Sequence, residues 1–202
     1  MTVANVHAVL DYWFADAGQS PEKADARSAV WFGSSLEADA EIKSRFEPLV
    51  EAACRSELEE WTTSAEGSLA VVILIDQFSR NVYRGSARAF AGDEIALAVA
   101  RAAIDAGQHL ELPFIYRSFF YLPFEHSEDL EDQDRCVALN RAQAAAAPEE
   151  WQEFMRIYAG HAEGHRDVVA RFGRFPHRNA VLGREDTPAE AEYLRDAPRY
   201  GQ

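Results

Sequence analysis

Apolar residues return every three or four positions along most of this chain, the period of a helix with one buried face. Val3, Val6, Val9 or Leu10, Trp13 and Phe14 mark a short opening helix. Ser20-Pro21 reads as a cap and first turn for a second helix, which Gly33 stops. From Ser35 to about Arg55 the positions Leu36, Ile42, Phe46, Leu49 and Val50 keep the period, with Pro48 predicting a kink or split. Residues 92–107 form a further helix, opening near Asp93 and closing at Gly107. Ser127 is the expected N-cap of the next one, with acids in its first turn. After Pro148 a long stripe runs through Trp151, Phe154, Met155, Tyr158, Ala162, His165, Val168, Val169 and Phe172, and Gly173 ends it. Thr187, Pro188 and Glu190 cap a tail helix.

The segment "LAVVILI", residues 69–75, has no polar side and is rich in β-branched residues, which suits a buried strand. A strand needs a neighbour, and no second run of this kind exists in the chain. With Ser64 as a cap, a helix buried all round is the better assignment. The pattern as a whole predicts an all-α single domain over residues 1–202: an array of about seven to nine antiparallel helices joined by short turns, without linker, low-complexity tract or strict repeat.

Composition narrows the partners. The 202 residues carry 20 basic and 34 acidic side chains, a net charge of −14 that disfavours nucleic acid and anionic membranes. Cys54 and Cys136 form no framework and read as free thiols. The start lacks a basic n-region, and no apolar run approaches the ~20 residues of a membrane span, so a cytoplasmic location is expected. Nothing in the chain asks for a cofactor.

Against this acidic background two phrases stand out, "QFSRNVYRG" at 77–85 and "RFPHRNAVLGR" at 174–184. Both place an aromatic residue, Arg-Asn and Gly together. Arg80, Asn81 and Arg84 suit an anion, since a guanidinium offers a planar fork of donors. They equally suit a helix end, with Asp76 paired to Arg80 one turn away. Arg171, Arg174, Arg178 and Arg184 occur with no acid between them, and His177 adds a further positive centre; they either hold an anion or partner the surplus acids. In "PFEHSE", residues 123–128, His126 is a candidate general acid or base, or simply a residue bonding its own cap region. His161 and His165 have the i,i+4 spacing of a zinc pair, but Glu does not follow the first of them and His165 lies on the apolar stripe, so no metal site is expected. Gly-rich phosphate loops and nucleophile elbows are absent from the sequence.

The stretches "VLDYWF" at 9–14, "WFG" at 31–33, "LIDQFSRNVYRG" at 74–85, "AFAGDEIAL" at 89–97, "YLPFEHSED" at 121–129 and "HRDVVARFGRFPHRNAVLGR" at 165–184 resemble an uncharacterised, mainly bacterial family, domain of unknown function 924. The likeness covers almost the whole chain and departs at Ser79, where the family phrase usually has Pro. It implies an all-helical array similar to tetratricopeptide-repeat proteins, with degenerate repeats, and no established activity. The family phrases coincide here with Asp76, Gln77, Arg80, Asn81, Glu125, His126, His165, Arg174, His177, Arg178, Asn179 and Arg184, and not with His161. Stacked helices make a concave face, on which these polar side chains are expected to meet, with Phe78, Phe119, Phe120, Tyr121 and Phe175 as apolar walls. Three readings follow: a site for an anionic small molecule bearing phosphate or carboxylate, with His126 the candidate catalytic group; a peptide-binding adaptor that clamps a carboxylate or acidic motif; or internal ion-pair networks that only tie the helices together.

Overall fold

The computed structural model describes residues 3–33 and 35–197, and among them every regular element is helical. In chain order these are α1 (Val3–Phe14), α2 (Pro21–Phe32), α3 (Leu36–Cys54), α4 (Ala65–Val72), α5 (Ser79–Val82), α6 (Asp93–Asp105), α7 (Phe114–Glu125), α8 (Leu130–Ala146), α9 (Glu149–Phe172) and α10 (Pro188–Tyr193), with short 3-10 turns between several of them. A π-helical turn, Ile73–Phe78, joins α4 to α5 end to end, so the ten segments make nine rods, at the top of the expected range. The side chain of Val3 lies outside the described residues.

Local chemistry starts and stops the rods where the sequence marks it. The Ser20 hydroxyl accepts from the Lys23 N–H, Ser35 from Ala38 and Ser64 from Gly67. Thr187 and Glu190 close a reciprocal capping box, and Gly173 leaves α9 at φ 69°, where a side chain would be strained. Two expectations are corrected. Pro48 does not split α3: Pro48 and Ser44, whose carbonyl loses its donor, are both exposed, so water can satisfy that carbonyl. The cap of α8 is Asp129, whose carboxylate accepts from the Glu131 and Asp132 N–H groups; Ser127 instead accepts from the Asp129 N–H and donates to Asp132.

The all-apolar segment is the centre of the molecule. Leu69 to Ile75 are each no more than 3% exposed, with α1, α3, α6 and α7 packed around the α4–π–α5 rod. A helix covered on every side has no polar face to display, which is why its sequence shows no period. Next to it Trp13, Phe14, Trp31, Phe78 and Phe119 meet edge to face, with centroids 5.1–6.0 Å apart. One close approach depends on glycine: a Cβ on Gly92 would lie 2.4 Å from Ile75 Cγ2, so only glycine lets α6 begin directly against the π turn. That contact carries Asp93, the next residue, to the edge of the cavity described below.

Candidate functional site

The π turn adds a residue to the helical register just before Arg80 and Asn81, a feature that recurs at functional sites. Gln77 within it, and Arg80, Asn81 and Arg84 after it, line one side of a cavity of about 450 Å3. The rest of the lining comes from α2 (Trp31, Phe32), from the end of α7 (Leu122, Glu125, His126), from α9 (Phe154, Ile157, Tyr158, His161, His165) and from the turn after α9 (His177, Arg178).

Arg80 and Arg178, one from each phrase, stand on the same wall. Both guanidiniums lie over the ring of Phe90, at 5.4 and 4.9 Å, and both reach Asp93. They share it unequally. Arg80 makes a bidentate contact with it at 3.1 Å for each bond, and also pairs with Asp76 at 3.5 Å. Arg178 comes no closer to Asp93 than 3.5 Å, and its buried Nε has no hydrogen-bond partner among the described residues. It is only 6% exposed, packed between Phe90 and Phe175. Burial, reinforced by the neighbouring Arg80 charge, pushes its pKa down to about 10. The third guanidinium, Arg84, is held by Asp39, which also takes the Asn81 amide. Arg80, Arg84 and Arg178 thus pair with Asp39, Asp76 and Asp93, Arg178 with no contact shorter than 3.5 Å, and two further carboxyl groups, Asp25 and Glu125, line the same cavity.

Behind the wall Asp76, fully buried, organises the polar cluster. It accepts from Gln77 Nε2 at 2.5 Å and from His126 Nδ1 at 2.7 Å. Burial opposes its charge, but Arg80 and His126 outweigh burial and hold the carboxyl well below its usual range. An ionised carboxylate only accepts, so His126 carries its proton on Nδ1 and its lone pair on Nε2. Desolvation lowers the His126 pKa and keeps the ring neutral near pH 7. A second imidazole–carboxylate pair lies beside the first: His165 Nδ1 is 3.0 Å from Glu125 Oε1 and 3.0 Å from the His161 carbonyl. The two rings are 6.4 Å apart. Burial raises Glu125 to about 7 and depresses His165, while His177, also desolvated, falls to about 3.

Of the twelve residues singled out from the sequence, Gln77, Arg80, Asn81, Glu125, His126, His165, His177 and Arg178 line the cavity. The other four stand behind or beside it. Asp76 supports His126 and Arg80. Arg174 pairs with Glu190 and ties α10 to the end of α9. Arg184 reaches Glu128, Asn179 and the Phe175 carbonyl, and Asn179 holds Asp186, so these two brace the turn that carries His177 and Arg178. Phe78, Phe119, Phe120, Tyr121 and Phe175 do not form the apolar wall: all are at most 3% exposed and belong to the packed interior. The wall is Trp31, Phe32, Phe90, Phe154, Ile157 and Tyr158. His161, set aside on motif grounds, lines the cavity; its spacing to Tyr158 and His165 along α9 was the available signal. Among the described residues no group of three or more His, Cys, Asp or Glu side chains is placed to hold a metal ion, and no helix is long and apolar enough to cross a membrane.

A family model described as a bacterial protein of unknown function matches residues 9–197. A solved structure of a protein of unknown function from Agrobacterium tumefaciens superimposes with a TM-score of 0.82, at 40% identity, over 98% of this chain and 100% of that one. No curated relative matches the chain.

Proposed function

Since the chain belongs to that bacterial family, DUF924, whose description names no activity, we propose from the pocket itself that this protein binds an anionic small molecule bearing carboxylate or phosphate. The observation that carries the reading is Arg178: a buried guanidinium lining the cavity, no nearer than 3.5 Å to Asp93, with an Nε that has no hydrogen-bond partner among the described residues. A buried donor left unsatisfied costs about 1–3 kcal/mol, more when charged, and a bound oxyanion would remove that cost. The volume suits a metabolite better than an extended peptide, which needs an open groove. The acidic surface and the lack of a membrane-spanning helix among the described residues fit a cytoplasmic setting, which is part of the same proposal.

The test is thermal denaturation with inorganic phosphate, phosphorylated metabolites and dicarboxylates. A ligand at a hundredfold excess over its dissociation constant adds about 2.7 kcal/mol, roughly 5–10 °C for a chain of this size. Arg178→Met should abolish the shift. A shift that survives that substitution removes Arg178 from the site, and no shift with any of these anions counts against the reading.

The oriented imidazole favours a second reading of the same pocket, in which His126 Nε2 takes or returns a proton on the bound molecule and Asp76 fixes the tautomer. Nitrogen chemical shifts of the ring at pH 7 check it. Protonated Nδ1 with bare Nε2 is expected, and the opposite tautomer would leave no base facing the ligand.

A further inference from the structure

We propose that the ligand is an amphipathic anion, with a carboxylate or phosphate head at Arg178 and an apolar body lying along Phe32, Phe154 and Ile157. This rests on the anion-binding reading and narrows it to a class of molecule.

The argument starts from the composition of the cavity wall along α9. Phe154, Ile157 and Tyr158 come first, then His161, then His165, and the turn bearing Arg178 follows the helix. From Phe154 to His165 is about 16 Å at 1.5 Å per residue. The wall therefore changes from hydrocarbon to imidazole and guanidinium over a distance too long for a bare oxyanion. The apolar end is also the open one. Phe32 and Ile157 are 57% and 51% exposed, and they are two of the six large apolar side chains left exposed among the described residues. They come from different helices, α2 and α9, and both line this cavity. Phe32 joins the wall through Tyr158 at 6.3 Å, and Phe154 stands 5.4 Å from the same ring. Exposed apolar surface gathered at the mouth of a pocket is the mark of a binding site. Tyr158 marks the change of character: its ring belongs to the aromatic group, while its buried hydroxyl has no hydrogen-bond partner among the described residues and feels the Glu125 charge. Tyr158 and Arg178 both line this cavity, and each has a buried donor, the hydroxyl and Nε, without a hydrogen-bond partner among the described residues.

Isothermal titration on the full chain tests this. The probes are inorganic phosphate, acetate, the butyl, hexyl and octyl monophosphates, the carboxylates of matching length, and 1-octanol, all below micellar concentrations. In at least one head-group series affinity should rise with chain length, approaching about fourfold for each methylene fully buried. 1-Octanol should bind at least about tenfold more weakly than the octyl anion, one charge-assisted hydrogen bond being worth that much. Phe32→Ser with Ile157→Ser should flatten the chain-length slope; both side chains are exposed, so the fold should survive, and circular dichroism checks that it does. If phosphate or acetate binds as tightly as its octyl homologue, the amphipathic assignment falls while the anion site stands. If 1-octanol matches the octyl anions, the pocket is merely apolar and the assignment falls. If no anion binds, both readings fall together.

Discussion

Replacing Arg178 by Met separates a binding arginine from a structural one. Met keeps most of the volume between Phe90 and Phe175 and removes the charge. The fold depresses this guanidinium from 12.5 to about 10. At 1.36 kcal/mol per unit, the folded state disfavours the cation by about 3 kcal/mol. The partner that would be stranded is Asp93, but Arg80 already holds both of its oxygens at 3.1 Å. The two rings over Arg178 return part of the cost as cation–π attraction, of order 1 kcal/mol. Without ligand, Arg178→Met is therefore expected to gain about 2 kcal/mol, in keeping with the general finding that apolar replacements of buried charges are often stabilising. That is roughly 4–8 °C in Tm for a chain of this size. Urea denaturation of ligand-free protein at pH 7, with the slope compared between variants, measures it. Folded and unfolded states both carry the charged arginine at pH 7, so the gain should be flat from pH 6 to 8. A loss of about 3–5 kcal/mol would refute the reasoning: Arg178 would then be half of a buried ion pair, and the repeated Arg-Asn wording would be architecture.

Asp76→Asn should cost about 1–3 kcal/mol at pH 7, because it removes one of the two carboxylates facing Arg80 and turns an amide NH2 toward one of two buried donors, Gln77 Nε2 or His126 Nδ1. The folded state lowers this carboxyl, so its contribution is present above the ordinary value of 3.8 and fades as pH falls below it; a difference between variant and parent that is undiminished at pH 3 would contradict this. Glu125→Gln should do the opposite. Its carboxyl is raised from 4.5 to about 7, so the folded state favours the proton and the parent loses stability as pH rises between those values. The variant should match the parent at pH 4 and exceed it by up to about 3 kcal/mol at pH 8, which denaturant melts at the two pH values decide. Gly92→Ala should cost about 1–3 kcal/mol by driving a methyl into Ile75, and an unchanged melting temperature would mean that α6 can slide away from the π turn.

What the sequence determined by itself is what local spacing controls. Helix rise and capping act over three or four residues, so Ser20-Pro21, Ser64, Gly107, Gly173 and the Thr187–Glu190 box could be placed by reading along the chain, and the missing period of "LAVVILI" correctly marked a helix covered on all sides. The site's polar residues were legible too, because arginines are conspicuous in a chain of net charge −14. Only the tertiary structure decided which partner each one takes. Arg184 finds Glu128 56 positions away, Arg84 finds Asp39 45 positions away, and Asp93 is divided between Arg80 and Arg178. No spacing rule reaches that far, since an ion pair is chosen by which helices pack together and by how much water they leave. The same holds for the walls. Phe119 and Phe32 are equally apolar as letters, but one is sealed in the core and the other stands at the mouth of the cavity. The difference lies in the docking of α2 and α7, and docking is set by the shape of the whole interior, not by any stretch of the chain.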